Sequence, residues 1–220
     1  NNNQYELDGE WVNFTDIDQN FKVKLFGPFS ITYPIKMYYS EHGPVLKDDN
    51  KAYALRFVGM NDVNHSTAWL KMNKSKNIDE WLDALRMEQL ASLNLVYADK
   101  DDNIFFVHNV KSPVRDPNYN WKQVVPGNKS ELIWTDFHPF ESVPQILNPS
   151  SGYIFSTNQN PFFVTAKEDN LSLSNFNPTM GFQTRTTNRA YRAYELLDPD
   201  KSISFGELDK YKHDNKFSYN

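Results

Sequence analysis

Asn94 is a polar side chain inside Leu93-Asn94-Leu95-Val96-Tyr97, a run otherwise composed like a buried strand. A buried amide has to find hydrogen-bond partners. It is satisfied internally or at a bulge, or its N–H points into a cleft where it can stabilise a developing oxyanion. Arg115 poses a similar choice in Ser112-Pro113-Val114-Arg115-Asp116-Pro117. Held between two prolines, it either pairs with Asp116 on a loop surface or stands as a fixed cation facing a site.

Other chemistries find fewer residues. His42, His65, His108, His138 and His213 are scattered, with no H-E-x-x-H, so each reads as a packing or surface histidine and no zinc site is expected. No G-x-S-x-G elbow, G-x-G-x-x-G or phosphate-binding G-x-x-x-x-G-K-[ST] occurs. Cys 0 removes thiol nucleophiles, zinc thiolates and disulfides together. Asp198-Pro199-Asp200-Lys201-Ser202 opens like a calcium loop and Ser204 and Glu207 continue it. Ile203, however, stands where the sharp turn wants glycine, and Asp209 where a bidentate Glu belongs. A plain capped helix is the preferred reading there.

The elements that must position Asn94 and Arg115 are legible from periodicity. Residues 21–26 alternate Phe21, Val23 and Leu25 with Lys22 and Lys24, the pattern of a half-buried strand. Gly27-Pro28 turns the chain, 30–40 is rich in β-branched and aromatic residues, Gly43-Pro44 breaks it, and 52–58 follows a polar turn at 47–51. An antiparallel meander is expected over 1–60. Ile78, Trp81, Leu82 and Leu85 fall on one helical stripe, with Asn77 as N-cap and Glu80 at its N3 position, predicting a helix over 79–90 packed on a sheet. Residues 93–98 and 104–110 read as strands joined by the polar loop 99–103, an antiparallel hairpin. The helix and hairpin occupy 61–111.

Seven of the 12 prolines lie between 112 and 161, too dense for regular elements. A long ordered loop region is expected over 112–183, held by Trp121, Trp134 and Phe140, and such loops are commonly functional. Two helices close the chain over 184–220. One spans 187–197 with Ala190, Tyr191, Tyr194 and Leu197 on a stripe, and the other is opened by Ser204 with Glu207 at N3. The fold class is α+β or α/β, an antiparallel sheet with packed helices, forming one segment over 1–220.

With 220 residues the chain is long enough to bury a sizeable core. Lys+Arg 23 against Asp+Glu 28 leaves a net charge of -5 without a basic block, so nucleic acid is not an expected partner. A mean hydropathy of -0.69 and no long apolar run argue against a membrane span. Asn1-Asn2-Asn3-Gln4 carries no visible signal peptide, as in a processed or excised chain.

Several segments together resemble the penicillin amidase family, which includes N-acyl-homoserine lactone acylases. They are Tyr39-Ser40-Glu41-His42-Gly43-Pro44-Val45-Leu46, Ala52-Tyr53-Ala54-Leu55-Arg56, and Asn94-Leu95-Val96-Tyr97-Ala98-Asp99 with Asn103-Ile104. Val125-Pro126-Gly127, Trp134, Pro139-Phe140, Pro144, Asn148-Pro149, Ser151-Gly152-Tyr153-Ile154, 158–162, Asn188-Arg189-Ala190 and Glu195-Leu196-Leu197 continue in order over about 38–219. The resemblance implies an αββα N-terminal-nucleophile amidohydrolase, in which a self-cleaved precursor exposes a serine whose own α-amine is the base. It puts the oxyanion-hole asparagine on Asn94 and the active-site arginine on Arg115. It implies a small-molecule N-acyl substrate of penicillin or homoserine lactone type and a periplasmic or secreted location. No cofactor is expected; calcium belongs to the complete family fold at most.

Asn1 offers neither hydroxyl nor thiol, so the nucleophile is expected upstream. This chain then reads as a middle piece of the large chain, inactive alone. Its partners are the remainder of the same precursor: the small chain and the earlier part of the large one. The competing reading is a non-catalytic, aromatic-rich β module, for instance one that binds saccharides.

Overall fold

The computed structural model describes residues 3–48 and 51–218. Asn1, on which the expectation of an upstream nucleophile rests, and the Asp49-Asn50 part of the expected turn lie outside them. The chain divides into two compact units, Asn1–Met60 with Arg115–Thr135, and Asn61–Val114 with Asp136–Asn220.

The first unit is built from β strands. β1 (Gln4–Leu7) and β2 (Glu10–Asn13) form a hairpin whose Asp8-Gly9 turn has φ of 52° and 86°, the left-handed pair that an Asp-Gly dipeptide favours. β3 (Thr15–Phe26), β4 (Phe29–Ser40), β5 (Gly43–Asp48) and β6 (Lys51–Ala54) pair antiparallel in sequence order, the expected meander. The β3–β4 register sets Ile17, Phe21 and Val23 opposite Met37, Tyr33 and Ile31, so one face of this hairpin is apolar. The expected half-burial is corrected here: every residue of β3 is exposed, Phe21 at 50% and Tyr33 across from it at 61%. Alternation fixes which residues share a face, but burial needs a second layer.

β6 also stops at Ala54 rather than reaching residue 58. Leu55 N–H still donates to Pro44 O at 2.8 Å, after which Arg56 leaves the ladder and donates from Nη2 to Trp134 O at 2.7 Å. Gly43 lies against this exit. Its φ is +135°, and a Cβ there would meet Leu55 O at 2.3 Å.

In the second unit α1 (His65–Lys74) precedes α2 (Ile78–Leu85). Asn77 Oδ1 accepts the Glu80 N–H at 2.9 Å, but the Glu80 carboxylate reaches Lys76 N–H instead of the cap's own amide. α2 ends at Leu85, five residues short of the expected 90. Glu88 takes φ 53° and donates to Leu85 O, a left-handed reversal that delivers Leu90, fully buried, to the core.

β7 (Asn94–Ala98) and β8 (Ile104–His108) form the predicted antiparallel hairpin. Its loop is closed by the Asp99 carboxylate, which accepts N–H groups of Asp101 and Asn103. β8 ends two residues before the expected 110, because Asn109 turns left-handed (φ 56°) and donates to Leu93 O. Beyond it come the two-residue strands β9 (Ser112–Pro113) and β10 (Phe137–His138), which pair, and β11 (Gln145–Leu147), which adds to the free edge of β8. Otherwise 112–183 carries only short 3-10 turns, as proline density predicts.

Strand alternation divides the β7–β8 sheet. Leu95, Tyr97, Phe105 and Val107 face α2, where Trp81 meets Tyr97 and Phe105 at ring separations of 5.0 and 5.8 Å. Phe106, on the opposite face, packs on Ile146 and Val164. α3 (Asn188–Leu197) is capped by the Thr187 hydroxyl. α4 (Phe205–Lys212) has the full reciprocal capping box of Ser204 and Glu207. Of the expected α3 stripe, Ala190 is buried, while Tyr191 and Tyr194 are partly buried against Phe163.

Candidate active site

Asn94 opens β7 on the sheet face turned away from α2, and the register places it directly opposite His108. Asn94 Nδ2 lies 3.0 Å from Gln159 O and 3.3 Å from Ser156 Oγ, and Asn94 Oδ1 lies 2.6 Å from His108 Nδ1. A backbone carbonyl can only accept, so the atom facing Gln159 O is the amide nitrogen and the carbonyl faces His108. The imidazole then carries its hydrogen on Nδ1. Burial pushes His108 down to about 4, so the ring is neutral at physiological pH.

The two hydrogens on Asn94 Nδ2 have unlike surroundings. One is anchored on the carbonyl of Gln159, whose side chain is buried and bonds to Phe155 O and Phe163 O across the same loop. The other meets the exposed Ser156 hydroxyl at 3.3 Å, near the limit of a hydrogen bond. Ser156 also lines a cleft of about 680 Å³ with Arg189, Arg192, Leu196 and Leu208.

Arg115 belongs to the first unit. Its guanidinium lies over two rings, 5.6 Å from the centre of Trp121 and 5.1 Å from that of Trp134. Trp121 Nε1–H donates to Asp116 O at 2.7 Å, while the Asp116 carboxylate accepts from the Asn118 backbone and side chain. The proline-bounded loop thus wraps the arginine with its own tryptophan. Arg115 lines a cleft of about 500 Å³ together with Arg56, His42, Trp121 and Trp134. Burial lowers the pKa of both arginines from the ordinary value, which leaves them cationic at any physiological pH.

Asp198 accepts the Tyr153 hydroxyl and Asp200 that of Tyr211, so the calcium-like segment spends its carboxylates on tyrosines. Among the described residues no group of three or more His, Asp or Glu side chains gathers as metal ligands. None of their helices is long and apolar enough to cross a membrane.

The penicillin amidase family model matches residues 1–220. The chain belongs to the penicillin amidase family. It is 31% identical over 161 residues to penicillin G acylase of Escherichia coli, covering 71% of this chain and 18% of that protein. It is 29% identical over 123 residues to a penicillin acylase 2 proenzyme of a Pseudomonas species, covering 54% of this chain and 16% of that protein. This penicillin amidase family chain therefore spans less than a fifth of the length of these curated relatives. Its fold matches that of a thermostable penicillin G acylase from Alcaligenes faecalis, with a TM-score of 0.71, 22% identity, and coverage of 96% of this chain and 36% of the other. The α+β expectation and its place in the N-terminal-nucleophile acylase fold hold.

His108, Ser156 and Gln159 were not singled out from the sequence as neighbours of Asn94. For His108 the signal was present. A hairpin closed by 99–103 sets Ala98 against Ile104, and four residues further along each strand it sets Asn94 against His108. Ser156 and Gln159 come from a loop about 60 residues away, where no local pattern points back to β7.

Proposed function

We propose that the chain is part of an amidohydrolase cleaving the amide bond of N-acyl compounds, with Asn94 in the oxyanion hole and Arg115 as an active-site cation. The nucleophile comes from another part of the same precursor, as does the rest of the acyl pocket, and the 220 residues alone do not turn over. Attack of a serine Oγ on the acyl carbonyl converts that oxygen to an oxyanion, which the outward N–H of Asn94 meets. Collapse expels the amine as the leaving group and water then releases the acid. The observation that carries the reading is the Asn94 amide, fixed at its carbonyl by His108 and at one hydrogen by Gln159, with its second N–H at the exposed Ser156. Kinship with the family supports a periplasmic or extracellular parent acting on penicillin-like or homoserine-lactone amides.

The test is Asn94→Ala in the full-length acylase, with chain separation checked first because self-cleavage can use the same pocket. An interaction made mainly in the transition state predicts kcat lower by about a hundredfold or more with KM little changed. Asn94→Asp, which keeps the shape and turns a donor into a repelling acceptor, is expected to be at least as damaging. A matured Asn94→Ala enzyme with wild-type kcat makes Asn94 an ordinary satisfied strand amide.

A further inference from the structure

We infer that His108 is a positioning residue for Asn94: its Nδ1–H, set 2.6 Å from Asn94 Oδ1 by the cross-strand register, holds the amide so that its second N–H stays turned toward the exposed Ser156 hydroxyl. The inference rests on the oxyanion role proposed for Asn94 and extends it to a residue that touches no reacting atom.

An asparagine side chain turns easily about its last bond, and its oxygen and nitrogen ends are nearly equal in size. An oxyanion donor has to exclude the flipped amide, whose carbonyl would repel the developing charge. Gln159 O supplies half of that exclusion by demanding a hydrogen. His108 supplies the other half by demanding an acceptor, and it can do so only as the Nδ1–H tautomer.

The imidazole is itself braced. Its ring packs edge-on to Phe182 at 5.6 Å, and its backbone N–H donates to Pro144 O at 3.0 Å where β11 joins the sheet. Burial keeps the ring neutral, so its single ring hydrogen stays on Nδ1, the nitrogen that faces Asn94 Oδ1. A donor on Oδ1 also polarises the amide and makes its N–H groups better donors.

The experiment is steady-state kinetics of the matured full-length acylase on a chromogenic acyl anilide. His108→Leu removes the donor, whereas His108→Asn keeps an N–H at the position of Nδ1. His108→Leu is expected to lower kcat by about tenfold to a hundredfold with KM within about twofold, since misplacing a catalytic group costs on that order. His108→Asn is expected to recover most of the loss. In an Asn94→Ala background His108→Leu is expected to cost little more, because a positioning residue has nothing left to position.

Should His108→Leu fail to mature, His108→Asp against His108→Asn is an equal-sized pair differing in the donor, and Asp is expected to be the slower enzyme. Wild-type kcat in folded His108→Leu, or an undiminished loss on top of Asn94→Ala, overturns the positioning role. Wild-type kcat in Asn94→Ala alone overturns instead the oxyanion reading beneath it.

Discussion

At the scale of single residues, the Asn94–His108 pair ties geometry to protonation. The folded imidazole refuses a proton until about pH 4, whereas an unfolded one accepts it near the reference value of 6.5. Between those values the unfolded state binds more protons, so stability falls as pH drops through this window and is fully present above it. The contribution lost between about pH 7.5 and pH 5 is about 2 kcal/mol. Carboxylates add their own acid dependence. The measurement is therefore the difference between wild type and His108→Leu in urea unfolding at the two pH values, with the wild type expected to lose more. Equal losses would show that the imidazole titrates freely in the fold. Asn94 itself was legible as an amide out of place in an apolar strand. Two of its hydrogen-bond partners were not, because Ser156 and Gln159 lie on a distant loop.

At the scale of elements, a helix was legible where a broad apolar stripe or a capping box marked it. α2 has a broad buried stripe of Trp81, Ala84 and Leu85 and was visible. α1 was missed because it buries only Ala68 and Met72, while Trp69 and Leu70 face outward at 41% and 53% exposure. β11 was lost among prolines, since a three-residue strand is defined by the β8 edge that receives it rather than by its own pattern. The end of β6 hangs on Gly43. Gly43→Ala would force a Cβ against the Leu55 carbonyl at a φ that L-residues avoid, a loss of about 2 kcal/mol or more. Gly127→Ala, with nothing within 4 Å of the new carbon, is expected to be near neutral. Denaturant midpoints decide it: equal values for the two variants would remove the steric account of the turn.

At the scale of the whole molecule, the β3–β4 hairpin stands apart from the rest of the sequence's economy. Phe21, Val23, Ile31 and Tyr33 form one exposed apolar face, and the lysines and aspartates of the same strands lie on the other. Surfaces of this kind associate. The 220-residue chain is expected to self-associate with rising concentration in sedimentation velocity, and Phe21→Lys with Ile31→Lys to suppress it; identical profiles would mean that the face is inert. The hairpin also sets an order of events in time. Its two strands meet across the short Gly27-Pro28 turn, a local closure that takes about 1–10 μs, whereas layers gathered from distant sequence take far longer. The adhesive face is therefore finished before anything remote can reach it. During synthesis, the vulnerable quantity is the length of that wait: slowing translation after residue 40 would prolong it, and crowding nascent chains on one message would make each wait more dangerous.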